Sequence, residues 1–211
     1  MDAEFSVELG PSSEEPTLEF PWSSGVDGGP CYVDVKRHPE LLPLVTEAAQ
    51  YPELGEFLLA LGSHQSLFET TKCDVWSTDQ LAAEEEDYEE DYGAKCKLAS
   101  YIDLIFDEEW AAARFSFAAH EDWARSLTQL LKETPDLPAA CEAVVRRCYY
   151  HAEGANPAAA GVGGTESGFY LSLYVSGYGL DEPEARRHWE TALRFAADAC
   201  LQLSAQWQRQ T

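Results

Sequence analysis

The chain has 211 residues, with 38 Asp and Glu against 14 Lys and Arg, for a formal charge of -24. One domain is expected at this length, and 45% hydrophobic with 12% aromatic content suffices for a core without metal or disulfide staples. That excludes collagen-like, mucin-like and wholly disordered chains, while the acidity opposes nucleic-acid backbones and anionic membranes and favours cations or basic partners.

The opening Met1, Asp2, Ala3, Glu4 lacks the cationic start and apolar core of a signal peptide, and no apolar run reaches membrane-spanning length, so a cytoplasmic protein is expected. Residues 1–22 read as an acidic amino-terminal tail and anchor, with Phe20, Pro21 and Trp22 as the anchor; Phe5 and Val7 would allow a short edge strand instead. Residues 23–211 read as a single α+β domain. After a Gly/Ser/Pro turn, residues 31–35 alternate as a short strand. Helical spacing of Leu41, Leu44, Val45 and Ala48, then of Leu54, Phe57, Leu58 and Leu61, marks two helical segments interrupted by Pro43 and Pro52.

From Thr70 the period changes to two. Residues 71–78, 97–106 and 113–118 read as three consecutive strands, the first two joined by the run from Glu84 to Asp91, whose like charges predict a solvated loop or hairpin tip. A helix starting near His120 carries Trp123, Leu127, Leu130 and Leu131 on one stripe and ends before Pro135. Residues 143–151 form a strand, 152–167 a Gly- and Ala-rich connection, and 168–178 the clearest strand of the chain. There Phe169, Leu171, Leu173 and Val175 face one way and Tyr170, Ser172, Tyr174, Ser176 and Tyr178 the other. Asp181 caps a final helix of roughly 25 residues, nearly 40 Å long. The order strand, strand, helix, strand, strand, helix from about 96 to 208 suggests two related units on a single antiparallel sheet with helices packed on one face.

The acidity is concentrated early: residues 1–95 carry 22 acidic and 4 basic side chains, residues 96–211 16 and 10. The six cysteines form no C-x-x-C, and most lie in apolar strand or helix patterns that predict reduced structural thiols, with a disulfide as the alternative. The five histidines make no H-x-x-x-H pair. The glycines at 161, 163 and 164 lack the Lys and the following helix of a phosphate-binding loop, and the acidic run lacks the Gly and alternation of an EF-hand. No cofactor or metal signature is present.

What remains is the tyrosine face of the strand at 168–178. With Arg146 or Arg147 on a neighbouring strand, Tyr170, Tyr174 and Tyr178 would present phenol rings and a guanidinium together, a surface for a small anionic or aromatic ligand or for a protein partner. The expectation is a non-enzymatic binding or regulatory protein that docks a basic protein or a small ligand, with no nucleic-acid or membrane partner. The alternative is an enzyme whose site gathers Asp103, His120, His151 and Arg147 in a cleft between sheet and helices. Homodimerisation through the sheet face or the last helix is a third expectation.

Overall fold

The computed structural model describes residues 1–10, 18–23, 31–151 and 165–210. Six strands, β1 (Asp2–Glu8), β2 (Leu18–Phe20), β3 (Phe68–Thr78), β4 (Cys96–Phe106), β5 (Ala139–His151) and β6 (Thr165–Gly179), form one sheet. The helices are α1 (Thr46–Gln50), α2 (Pro52–Leu61), α3 (Glu86–Tyr92), α4 (Ala111–Arg114), α5 (Phe117–Lys132) and α6 (Glu182–Gln208), with short 3-10 turns at Pro39–Leu44, Ala83–Glu85 and Glu108–Trp110. Residues 11–17 of the opening acidic segment, the Gly/Ser/Pro turn at 24–30 and the glycine-rich connection at 152–164 lie outside the described residues.

The α+β class holds, but the sheet is mixed. Its order is β1-β5-β6-β4-β3; β3–β4, β4–β6 and β5–β6 are antiparallel, whereas β1 and β2 both run parallel to β5 along its outer edge. Alternation reports which face a side chain takes and is silent on strand direction. Pairs joined by a short connection must be antiparallel, but β1 and β2 reach β5 after more than a hundred residues, so no turn dictates their sense. The opening residues thus include an edge strand, with Ala3 and Phe5 aligned with Cys141 and Ala143.

Three further expectations are corrected. Residues 113–118 are not a strand: Ala111–Arg114 is a helical turn, and Ser116 then caps α5 by accepting a hydrogen bond from the Ala119 amide at 3.2 Å. The order strand, strand, helix therefore runs β3-β4-α5 and then β5-β6-α6, starting at 68. Residues 31–35 are likewise no strand, since only Cys31 makes a bridge, to Ser23. The acidic run folds into a 3-10 turn and α3 and does not form a loop.

The core fills the sheet face carrying Leu98, Ile102, Leu104, Leu171, Leu173 and Val175. Against it pack Trp123, Leu127 and Leu131 of α5, Trp189, Ala192, Ala196 and Leu203 of α6, and Leu54, Phe57 and Leu61 of α2. Each fully buried aliphatic side chain contributes roughly 1.5–3 kcal/mol. Helix α6 lies directly on β6 because its contact residues are small and because β6 carries Gly177 beneath it; a Cβ there would overlap the Trp189 amide nitrogen and the Ala185 carbonyl. The close approach brings the Trp189 indole Nε1 within 2.9 Å of Ser100 Oγ, a donor satisfied inside the core.

Gly177→Val should therefore lift α6 from the sheet and cost about 3 kcal/mol or more. Urea unfolding checks this; an unchanged midpoint would show that α6 tolerates displacement.

Candidate binding site

With α2, α5 and α6 on one sheet face, the opposite face holds the tyrosines, and its ends are covered in two different ways. At one end α3 lies across Tyr178, so helices are not confined to one face. The Tyr88 ring stacks on Tyr178 with centroids 3.7 Å apart and planes 10° apart, and the Tyr88 hydroxyl donates to Asp2 Oδ2 at 2.5 Å. Tyr178 donates to Glu85 Oε1 at 2.9 Å, and the same carboxylate pairs with Lys97 at 2.6 Å. These contacts hold an acidic helix in place while Glu86, Asp87, Glu89, Glu90 and Asp91 remain exposed. At the other end Tyr170 is 5% exposed in a cluster with Leu18, Ile105, Cys148 and Tyr150. Burial, the largest influence, raises the pKa of both Tyr170 and Tyr178, so both act as neutral phenols.

Tyr174 lies between them, half-buried. Arg146 stands across from Tyr170 in the ladder, its guanidinium 5.4 Å from the Tyr174 ring centroid and paired with Glu8 at 2.8 Å. Arg147 pairs with Phe169 and so takes the helix side, where its Nε donates to the Leu9 carbonyl at 3.0 Å. The structure thus joins Arg146 to Tyr174 and Tyr170, and separates Arg147 from them.

Strand pairing extends this face in a way the β6 sequence alone does not reveal. Tyr101 lies opposite Tyr174, and Trp76 lies opposite Ala99, next along β4 from Tyr101 on the same face. Ring centroids run Trp76 to Tyr101 at 6.4 Å and Tyr101 to Tyr174 at 6.1 Å, a row across three strands. Trp76 is 37% exposed. The alternation of Lys72, Asp74 and Trp76 was the available signal, but only the register places them beside the tyrosines.

Beyond Tyr101 the face opens into a cleft of about 670 Å³ along the outer edge of β3, lined by Trp22, Val33, Val35, Val45, Lys72 and Tyr101 among others. Its wall of residues 31–38 is tied down by buried charge. Glu69, 1% exposed, receives Tyr32 Oη at 2.9 Å and Arg114 at 3.1 Å, and Arg37 stands 3.6 Å away. Burial pushes its pKa up, while Tyr32, Arg114 and Arg37 pull it back. Arg114 is held over the rings of Phe20 and Tyr150 at 5.7 and 5.4 Å. Lys36 pairs with Asp107 at 2.9 Å and donates to the Ser66 and Phe68 carbonyls.

The residues weighed for an enzyme are not gathered. Asp103 belongs to the tyrosine face, where Ser172 Oγ donates to it at 2.5 Å; His120 is wholly buried on the helix side between Phe106 and Phe169; and His151 meets Glu19 at 3.1 Å. Burial pushes the Cys73 and Cys148 thiols up to about 12, which disfavours thiolate at neutral pH. Among the described residues no three His, Cys, Asp or Glu side chains group as a metal site, and no helix is long and apolar enough to cross a membrane. No family model, curated protein or solved structure matches the chain.

His120 gives a pH prediction. Its Nδ1 bonds the Ser116 carbonyl at 2.9 Å, which can only accept, so Nδ1 carries the proton of a neutral ring; burial lowers its pKa from 6.5 to about 4. Unfolded chains bind this proton near pH 6.5 and the folded protein resists it, so stability from this group is complete above 6.5 and falls towards pH 4, by roughly 3 kcal/mol. Urea unfolding between those pH values should show this slope in the wild type and lose it in His120→Leu; equal slopes would exclude His120 as its source.

Proposed function

We propose that this protein is a non-enzymatic binding module that docks a basic protein segment on the sheet face opposite α5 and α6. The observation that carries this reading is the aromatic row Trp76, Tyr101 and Tyr174, bordered by Asp74 and by the exposed carboxylates of α3, which Tyr88 anchors on Tyr178. Aromatic faces attract Lys and Arg through their ring quadrupoles, and each such contact contributes about 0.5–2 kcal/mol according to its desolvation. The net charge of -24 draws a cationic partner into encounter, and local contacts then decide which partner stays. Arg146, paired with Glu8, sits over the Tyr174 ring with its guanidinium 5.4 Å from the centroid.

Affinity capture from a lysate of the source organism at low and high salt, read by mass spectrometry, tests the reading. A stoichiometric basic protein should be retained at low salt and released at high salt. Trp76→Ala and Tyr174→Ala should each weaken that complex by roughly tenfold, the scale of an interfacial aromatic anchor. Retention that ignores salt, or binding unchanged in both variants, would place the partner elsewhere.

A further inference from the structure

The described structure contains six half-buried Lys or Arg side chains, and five have a carboxylate partner: Lys36 with Asp107, Lys97 with Glu85, Arg114 with Glu69, Arg146 with Glu8 and Arg186 with Glu53. The sixth is Lys72. Its ladder partner is Asp103, yet among the described residues its ammonium makes no ion pair and instead sits 5.1 Å from the centroid of the Trp22 ring, at the cleft along β3. In a chain with 38 carboxylates and 14 cations, a lysine that pairs with no carboxylate among the described residues departs from the rule followed by its five peers. Partial burial of an ammonium costs free energy unless an anion or strong acceptors compensate, and a single indole face offsets only part of that.

The rest of the cleft wall is mainly apolar. Val33, Val35, Val45 and Leu58 line it, the Trp22 ring lies against Lys72, Tyr101 adds an aromatic side chain to the wall, and the volume of about 670 Å³ falls within the range of small-molecule sites. The Trp22 indole is itself oriented, since its Nε1 donates to the Thr71 carbonyl at 2.9 Å, so the surface that holds the ammonium is preformed. Glu47 also lines the cleft but is not within ion-pairing distance of Lys72.

We propose that this cleft binds an amphipathic organic anion, an aromatic or aliphatic body carrying one carboxylate or sulfonate, with the anionic head on Lys72 and the body against Trp22 and the valines. The site is separate from the protein-docking row, which it meets only at Tyr101. The protein's negative field slows the approach of such a ligand at long range but is screened within about 8–10 Å at physiological salt, leaving the local cation to decide affinity.

A matched pair of fluorescent probes tests this on the full chain: 1-anilinonaphthalene-8-sulfonate and the neutral N-phenyl-1-naphthylamine, which shares its aromatic body but lacks the sulfonate. The sulfonate should bind about tenfold more tightly, the scale of one charge-assisted contact. Lys72→Met should abolish that preference while leaving the neutral probe's affinity unchanged, Lys72→Arg should retain it, and Val33→Trp, which fills the cleft, should weaken both probes. Far-UV circular dichroism and thermal midpoints confirm that each variant is folded. Equal affinity for the two probes, a preference that survives Lys72→Met, or binding untouched by Val33→Trp in a folded variant would each overturn the assignment.

Discussion

A carboxylate enclosed at 1% exposure governs how the segment before β3 is placed. Glu69 points from β3 to the face away from α5 and α6, and an ion taken out of water must be met by opposite charge and hydrogen bonds or be neutralised. Arg114, Arg37 and the Tyr32 phenol meet it from two separate parts of the chain. Arg114 comes from the helical turn after β4, so its pairing fixes that turn against the sheet. Tyr32 and Arg37 come from the irregular segment 31–38, and their pairing turns that segment into one wall of the cleft. Lys36, on Asp107 and the carbonyls of Ser66 and Phe68 at the entry to β3, repeats the tie from the same segment. Remove the carboxylate and Arg114 is left half-buried between two aromatic rings with no counter-charge.

The two sheet faces divide the work of the molecule. On one, leucines, alanines and tryptophans of α2, α5 and α6 form a close-packed core in which Gly177 and the alanines of α6 set the helix-to-sheet distance. On the other, the end caps use aromatic and polar contacts: Tyr88 on Tyr178 at one end, and Leu18 and Phe20 with Tyr150 and Tyr170 at the other. Between the caps lie the features with binding chemistry, namely the row Trp76, Tyr101, Tyr174 and the cleft beside Lys72. The rigid scaffold beneath both limits the entropy lost when a partner or ligand is engaged.

Local patterning made several of these elements legible. Strict alternation in β6 separated the tyrosine face from the Leu and Val face, and the helical stripe with its Asp181 cap marked α6. It misled where a period of two arose by chance, as at Ala113, Phe115 and Phe117, which belong to a helical turn and the start of α5 because Asp107 and Ser116 supply caps there. It also misled at the acidic run. Repulsion among Glu84 to Asp91 argued for a loop, but Tyr88 provides an apolar anchor and Gly93 a left-handed helix end, and together they outweigh the exposed charges.

Composition and periodicity by themselves determined the α+β class, the strong acidity, the inward stripes of the helices and the facing of the β6 tyrosines, because these depend on residue type and spacing within one element. Tertiary structure alone decided that β1 and β2 run parallel to β5, that Arg146 and not Arg147 joins Tyr174, that Trp76 and Tyr101 extend the aromatic row, and that Lys72 lacks, among the described residues, the carboxylate its peers possess. Each of these depends on pairing between segments distant in sequence, where a shift of one residue in register exchanges the faces, and no local pattern encodes that register.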